Sequence, residues 1–334
     1  MHTAARLGLF AAGAAAVFTA AFVAAPLVIP ADASAAWTSN EDDHMTTAEP
    51  GHGDEHTGAA ASADDVRGLA VSHAGYTLTG LRAPASPGEQ GELAFGITDA
   101  AGAPLTDYET SHERDLHLIV VRTDGAHFRH VHPVIDDRGE WSLPFAFDAA
   151  GTYRVFADFV PAGHGETVTL TTTVDVAGGF APEPRTSDAT AATVDGITVE
   201  VEGELVAGAE RELVFTVTRD GEPVTTLEPY LGAYGHLVAL RQGDLAYLHV
   251  HPMGEPGDGV AEAGPEISFM ATAPTAGRYL LYLDVQLDGV VHSIPLVLTA
   301  GAGSTDAAGG AAHDGTHDDD HDDGHDDDHG EAGR

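Results

Sequence analysis

The sequence predicts an all-β protein of two tandem immunoglobulin-like or cupredoxin-like β-sandwich domains, with a disordered N-terminal linker and a disordered C-terminal tail. Three observations predict it. The segment His117–Pro133 (HLIVVRTDGAHFRHVHP) aligns without gaps onto His236–Pro252 (HLVALRQGDLAYLHVHP), 119 residues later. Short β-type runs are punctuated by Gly, Pro and Asp-Gly signals at strand-length spacing. Between about residues 66 and 300 no stretch keeps a helical hydrophobic period.

The internal repeat extends beyond that segment. Upstream, Glu92-Leu93-Ala94-Phe95 matches Glu212-Leu213-Val214-Phe215. Downstream, Ala150-Gly151-Thr152-Tyr153 matches Ala276-Gly277-Arg278-Tyr279, and Asp158 matches Asp284. The downstream offset is 126, so the second copy carries seven extra residues after Pro252. A match of this kind marks a duplicated structural unit, and copies of about 110 residues are of domain size. The first copy is placed at 66–177 and the second at 188–300. The Gly/Pro-rich run from Gly178 to Asp188 (GGFAPEPRTSD) reads as the linker between them.

Each copy supplies about seven strand candidates. In the first they fall at 75–82, 91–98, 115–122, 127–134, 140–147, 152–160 and 166–176. Leu93, Phe95 and Ile97 alternate onto one face, as do Tyr153, Val155, Ala157 and Phe159. Seven short alternating strands in a unit of this size point to a sandwich.

The ends differ in kind. Residues 1–35 read as a signal peptide or an uncleaved signal-anchor: Arg6 precedes an apolar run from Leu7 to Val28, and Ala33-Ser34-Ala35 offers an A-x-A cleavage site. The run is long enough to span a bilayer, so a single N-terminal membrane anchor is the alternative to cleavage. In both cases the protein works outside the cytoplasm, secreted or held at the cell envelope. Residues 36–65 are polar, lack hydrophobic period and read as a linker.

Composition excludes several partners. The formal net charge is −39 at pH 7, from 53 acidic residues against 14 basic ones, all of them Arg. Such acidity argues against nucleic acid and anionic membrane surfaces and favours cations. With no Cys there are no disulfides and no thiolate metal ligands.

The repeated hairpin carries the candidate chemistry. Asp124-Gly125 is a type I′ turn signal, which sets Thr123 across from Ala126. Counting back places His117 opposite His132, and His130 opposite Ile119, so His117, His130 and His132 share a face. In the second copy Gly243-Asp244 gives a II′-type signal, and the same count sets His236 opposite His251 with His249 beside it. Cβ atoms directly opposite lie about 4.5–5.5 Å apart, within reach of a shared ion at about 2.0–2.1 Å. The expectation is one three-nitrogen cluster per copy. It depends on an even-length loop, since a one-residue slip turns His117 to the other face. The alternative is that these histidines are core polar groups of a structural or interaction module.

Nitrogen ligands without thiolate suit Cu²⁺ or Zn²⁺. Met253 offers a further soft ligand in the second copy, and Asp158 and Asp284 are placed to orient a histidine from behind. No Glu accompanies the cluster at a repeated position suited to a general base, so no enzymatic activity is expected. The other face of the hairpin carries Arg122, His127 and Arg129 in copy one, which suits solvent. In copy two it carries Ala239, Ala246, Leu248 and Val250, which points to packing against the other domain or a partner.

The tail, 301–334, spaces His313, His317, His321, His325 and His329 four residues apart among aspartates. Its composition suits weak, multi-site divalent-metal binding, and Asp-rich sequence with Gly315 and Gly324 is a poor helix former.

The phrases YLGAYGHLVALRQGDLAYLHVHP, HLIVVRTDGAHFRHVHP and AGTYRVFADFVP resemble those of secreted or membrane-anchored bacterial proteins with tandem HxHP β-sandwich domains. These are similar to YtkA-like and, more distantly, CopC-like domains. The resemblance covers about residues 66–300 and implies metal handling, copper above all, at the cell envelope. Two features depart from it: the expected mature N-terminus has no His, and an H-x-M motif of periplasmic copper chaperones is His-Val-His here. The function expected is extracytoplasmic binding or buffering of a divalent metal, copper or zinc.

Overall fold

The computed structural model describes residues 67–303, in which every regular element is a β-strand. The first repeat contains β1 (Ser72–His73), β2 (Tyr76–Arg82), β3 (Gly91–Thr98), β4 (Tyr108–Glu109), β5 (His117–Arg122), β6 (Arg129–Val131), β7 (Val134–Ile135), β8 (Glu140–Phe145), β9 (Gly151–Pro161) and β10 (Val168–Val176). The second contains β11 (Ala191–Val194), β12 (Ile197–Gly203), β13 (Glu210–Arg219), β14 (Glu222–Pro223), β15 (His236–Arg241), β16 (His249–Pro252), β17 (Glu266–Thr272), β18 (Gly277–Leu287) and β19 (Val290–Ala300).

Each repeat is a sandwich of two antiparallel sheets. In the first, β1-β2-β3-β8-β7 faces β10-β9-β5-β6; in the second, β11-β12-β13-β17-β16 faces β15-β18-β19. The alternation read from sequence fills the gap between sheets. Leu93, Phe95 and Ile97 pack with Tyr153, Val155, Ala157 and Phe159 in one core. Leu213, Phe215 and Val217 pack with Tyr279, Leu281 and Leu283 in the other. Burying such a side chain contributes about 1.5–3 kcal/mol each.

A third core lies between the repeats. Ile119 and Val121 of β5 and Phe156 of β9 meet Val238 and Leu240 of β15 and Leu280 and Tyr282 of β18. Strand β5 is therefore buried on both faces, with Leu118 and Val120 turned inward and Ile119 and Val121 turned to the other repeat. The contact is reciprocal: Ile119 and Val238, Val121 and Leu240, and Phe156 and Tyr282 are repeat-equivalent pairs. Phe128 stacks on Tyr282 with ring centroids 3.9 Å apart, and its equivalent Tyr247 meets Phe156 at 6.0 Å. The same surface of each sandwich serves both sides, as in an isologous dimer interface.

The second hairpin's apolar face does not meet the other domain, contrary to what its composition led us to expect. Its apolar side, Ala239 and Leu248, belongs to the second sandwich's own core. The histidine-bearing side is the one that meets the other repeat. Arg122 is also corrected: it is 1% exposed, with Nε and Nη2 donating to both carboxylate oxygens of Asp124 at 2.9 and 2.8 Å. Nη2 also reaches Glu183 Oε1 at 3.0 Å, and the guanidinium lies over the Phe180 ring. The run between the repeats is thereby strapped onto the first hairpin. His127 and Arg129, by contrast, form partly exposed pairs with Glu183 and Asp148.

The first hairpin keeps the expected register by a different route. Its turn has three residues, with Gly125 N donating to Arg122 O and Arg122 N to Ala126 O. An extra residue follows, where His127 takes φ 53° in the manner of a bulge. The two irregularities offset, so Ile119 pairs with His130 and Leu118 with Val131. In the second hairpin, Arg241 N donates to Ala246 O across a four-residue loop, not the two-residue loop expected. Leu240 bridges Tyr247, which keeps the predicted count close to the turn. Beyond Leu248 the chain leaves β15, and β16 pairs with β17 in the opposite sheet, setting His251 against Met270. The first repeat makes the same change of sheet only after His132, where β7 joins β8.

Gly125 sits where this architecture leaves no room. It has φ +83°, and a Cβ there would lie 2.4 Å from Leu280 Cδ1 of the other repeat. Its carbonyl accepts the Tyr282 hydroxyl at 2.6 Å. Gly163 has a similar φ of +75° in open space. Alanine at either position bears the left-handed cost of about 1–2 kcal/mol. Gly125→Ala should add about 1–3 kcal/mol for overpacking, seen as a lower urea midpoint of the full chain. Equal losses in the two variants would show that the contact between repeats is not tight at this point.

Candidate functional site

The polar end of the inter-repeat contact is a histidine cluster. His117 opens β5 and His236 opens β15, at equivalent positions, and their rings stack with centroids 5.5 Å apart and planes 7° apart. Each faces the repeated aspartate across its ladder: His117 pairs with Asp158, and His236 with Asp284. His130 on β6 and His132 just after it complete the group, their rings 4.9 Å apart. One nitrogen each from His117, His130 and His236 lies within 4.8 Å of the others.

The hydrogen bonds fix the protons. His117 Nε2 lies 3.0 Å from the Ser111 carbonyl, which can only accept, so Nε2 carries a hydrogen and Nδ1 a lone pair. His130 Nδ1 lies 2.8 Å from Asp284 Oδ2, so Nδ1 donates there and the neutral ring keeps its lone pair on Nε2. These two lone-pair nitrogens, His117 Nδ1 and His130 Nε2, face each other at 3.1 Å. His132 Nε2 also approaches His117 Nδ1, at 3.2 Å. Asp284 itself is 1% exposed and receives the Ser293 hydroxyl on its other oxygen.

Two neutral acceptors at such a distance repel unless a hydrogen or a cation lies between or beside them, and the His132 Nε2–H is within reach of His117 Nδ1. A proton on His130 Nε2 is one solution, giving an imidazolium balanced by Asp284. A metal ion is the other: nitrogens bound at 2.0–2.1 Å in a tetrahedral shell lie about 3.3 Å apart. Burial first, and then repulsion from His130 when it is charged, hold both His117 and His132 down to about 3. Burial likewise lowers His236 well below its ordinary value. These imidazoles are therefore neutral at pH 7, the form that ligates.

The arrangement differs from one cluster per copy. The structure brings His117, His130, His132 and His236 together in a single cluster across the junction, because the repeats pack through the face that bears them. His251 is carried off the hairpin by β16. It lines a cavity of about 130 Å³ with His112, His117, His236 and Asp158. The His249 backbone lies opposite Thr272. Met253 is 47% exposed and borders a separate surface hollow formed by the extra loop, so it is not placed to ligate here. Asp284 orients a histidine as expected, but one from the other repeat. Asp158 accepts the Thr169 hydroxyl at 2.5 Å. His313, His317, His321, His325 and His329, and residues 1–35, lie outside the described residues.

His112 is a member that sequence reasoning missed. It sits in a turn closed by reciprocal Ser111–Arg114 backbone bonds, with φ 48°. The turn aims its ring at His117, 6.0 Å away, and at His236, 5.5 Å away. The equivalent turn in the second repeat, Tyr230–Ala233, holds buried Leu231 at that place. Selecting histidines because both copies share them therefore discards it. The usable signal was its position five residues before His117.

Fold and site together define a two-repeat β-sandwich protein with a histidine cluster at its internal interface. The family model for DUF8832, a domain of unknown function, matches residues 70–176 and again 192–302, and the chain belongs to that family. The match is to this family, and it lends no support to the YtkA-like or CopC-like resemblance. No curated protein matches the chain. Among solved structures it is similar to invasin, a bacterial integrin-binding protein, at 15% identity and TM-score 0.20, covering 68% of this chain and 39% of that one. The adhesin InvE of Yersinia pseudotuberculosis gives 12% and 0.22, covering 72% and 61%. A putative membrane-anchored protein of Corynebacterium diphtheriae gives 12% and 0.21, covering 70% and 60%. At these scores no argument about activity passes from them to this chain.

The lowered histidine values set a pH dependence in the metal-free protein. A histidine neutral in the fold and titrating at about 6.5 when unfolded contributes stability that is whole above 6.5 and lost as pH falls toward 3. Asp158 acts oppositely, since burial raises it to about 6 and its protonation below that value favours the fold. Three histidines outweigh one carboxyl. In chelator, the melting temperature of the full chain should fall between pH 7 and pH 5, with His117 alone costing about 2 kcal/mol over that range. His117→Gln should flatten the slope. A melting temperature unchanged over the range would contradict these assignments.

Proposed function

We propose that the chain is an extracytoplasmic metal-binding or metal-buffering protein that holds one divalent ion, Cu²⁺ or Zn²⁺, at the junction of its repeats. The observation that supports this is the pair of lone-pair nitrogens, His117 Nδ1 and His130 Nε2, at 3.1 Å. Their other nitrogens are committed to Ser111 and Asp284. His236 and His132 supply further nitrogen donors, and Asp284 is the carboxylate behind a ligating imidazole. A site of imidazoles alone suits Cu²⁺ or Zn²⁺. The strongly negative chain concentrates cations around it. The His/Asp tail adds weak capacity, and the N-terminal apolar run with its A-x-A site supports export or anchoring. No catalytic role is proposed.

A second reading is a structural or interaction module at the cell surface, with His130 a buried imidazolium paired to Asp284. It is favoured by one observation: among the described residues every buried side-chain nitrogen and oxygen has a partner without any ion.

Equilibrium metal titration separates the two. The full chain with its five tail histidines replaced by alanine should bind Cu²⁺ or Zn²⁺ far more tightly than millimolar. Asp284→Asn should weaken that affinity about 10–100-fold, and His117→Ala should remove it. Binding unchanged in both variants would leave only the structural reading.

A further inference from the structure

The stretch that leads into each repeat crosses the junction before its first strand. We infer that the N-terminal one, residues 67–71, is a releasable strap that closes the junction and sets the rate at which an ion enters and leaves the histidine cluster. The gating of an ion rests on the metal reading above; the opening of the strap does not.

Strap and linker are repeat-equivalent. Ala70 O accepts Thr171 N on β10 at 2.9 Å, and Ala189 exchanges backbone hydrogen bonds with Val297 on β19. These pairs match at the offsets of 119 and 126 that relate the two copies. Upstream of them each stretch reaches the opposite repeat. Arg67 O accepts Tyr247 N at 2.9 Å, and Glu183 N donates to the Asp124 carboxylate at 2.7 Å. The two are not held alike. The linker is clamped by the Arg122 guanidinium through Glu183 and Phe180. The strap is held by backbone hydrogen bonds, and Leu69 is 40% and Val71 48% exposed. A segment with few buried apolar contacts opens locally at low cost, so the strap lets go first.

What the strap covers is the way to the histidines. Gly68 is buried with φ +70°, and a Cβ there would lie 3.0 Å from Tyr247 Cβ and 3.2 Å from Phe156 Cε1. The strap therefore lies flat on the rim of the core between the repeats, to which both aromatic residues belong. Arg67 and Tyr247 line the cavity of about 130 Å³ that also touches His112, His117 and His236. Arg67 lines a second hollow as well, of about 240 Å³, together with Gly68, Leu69 and Ala70. That hollow is polar, with His73, His164 and Glu166 on its walls, and Thr167 and Thr169 border both spaces. The strap thus stands between a polar hollow and the junction, and lifting it joins the two.

Hydrogen exchange and metal transfer test this in the full chain with alanine at the five tail histidines. In that parent the Tyr247 and Thr171 amides should exchange faster than those of the β15–β18 ladder, since the strap opens without the fold. Gly68→Val sets a branched side chain at positive φ against Tyr247 and Phe156. It should speed exchange at both amides about 5–30-fold. Gly163→Val, at φ +75° in open space, carries the same backbone strain elsewhere and should leave them unchanged. Uptake of Zn²⁺ and its release to a chelator should both quicken in Gly68→Val by a similar factor. The equilibrium affinity should stay the same, because a gate alters both rates alike. A Tyr247 amide as slow as the ladder would overturn the strap, and the parent alone reports this if Gly68→Val folds poorly. Metal rates equal in the parent and both glycine variants would overturn the gate. If the parent binds no ion, the metal reading fails and the gate with it, while amide exchange still decides whether the strap opens.

Discussion

The structure depends on the packing of two like surfaces, the β5–β9 face of one repeat on the β15–β18 face of the other. Without it, Ile119, Val121, Val238 and Leu240 would be exposed apolar residues on strands already buried on their inner side. With it, these strands are covered on both faces and read as continuous apolar runs, the pattern of doubly covered sheets. The histidines follow from this geometry. They occupy the polar end of the same faces, so the act that buries Ile119 also gathers His117 and His236. Fold stability and site assembly are one event, and neither repeat alone holds the whole set.

The duplication was legible in the chain because matched segments survive as sequence. The strands were legible because Leu93, Phe95 and Ile97, or Tyr153 to Phe159, alternate cleanly. The register of His117 against β6 was legible too, although its stated cause was not. A three-residue turn and the His127 bulge compensate each other, and no dipeptide signal at Asp124-Gly125 encodes both. What sequence could not show was which face of the hairpin looks inward. Both faces of β5 and β15 are apolar, so periodicity gives no direction. The choice was made by the complementary repeat, a contact between residues about 120 positions apart.

The histidine set illustrates the same limit. Counting along each hairpin treats a copy as self-contained, and gives two equal clusters. The junction makes one set from both, and breaks their equality through where each chain changes sheet. His132 is still beside its hairpin when the first repeat turns, whereas His251 has already joined β17. The seven extra residues after Pro252 follow that earlier turn. His112 lies outside the shared pattern because its counterpart is the buried Leu231. Repeat matching finds what duplication preserved, and this residue arose after the copies diverged or was lost from one of them.

The protons bear on the choice between a structural and a metal-binding cluster more directly than the count of histidines does. Ser111 and Asp284 are both pure acceptors, and they approach His117 and His130 on the nitrogens that point away from the centre. Each therefore forces a lone pair toward the centre. A pair of neutral imidazoles alone would have one of the two rings reversed, making an ordinary donor–acceptor pair between them. His132 Nε2 can donate to His117 Nδ1, and a proton or a metal ion at the centre satisfies His130 Nε2 as well. Protons and metal ions then compete for the same two nitrogens. Neutral rings at His117, His132 and His236 leave their lone pairs available without first releasing a proton.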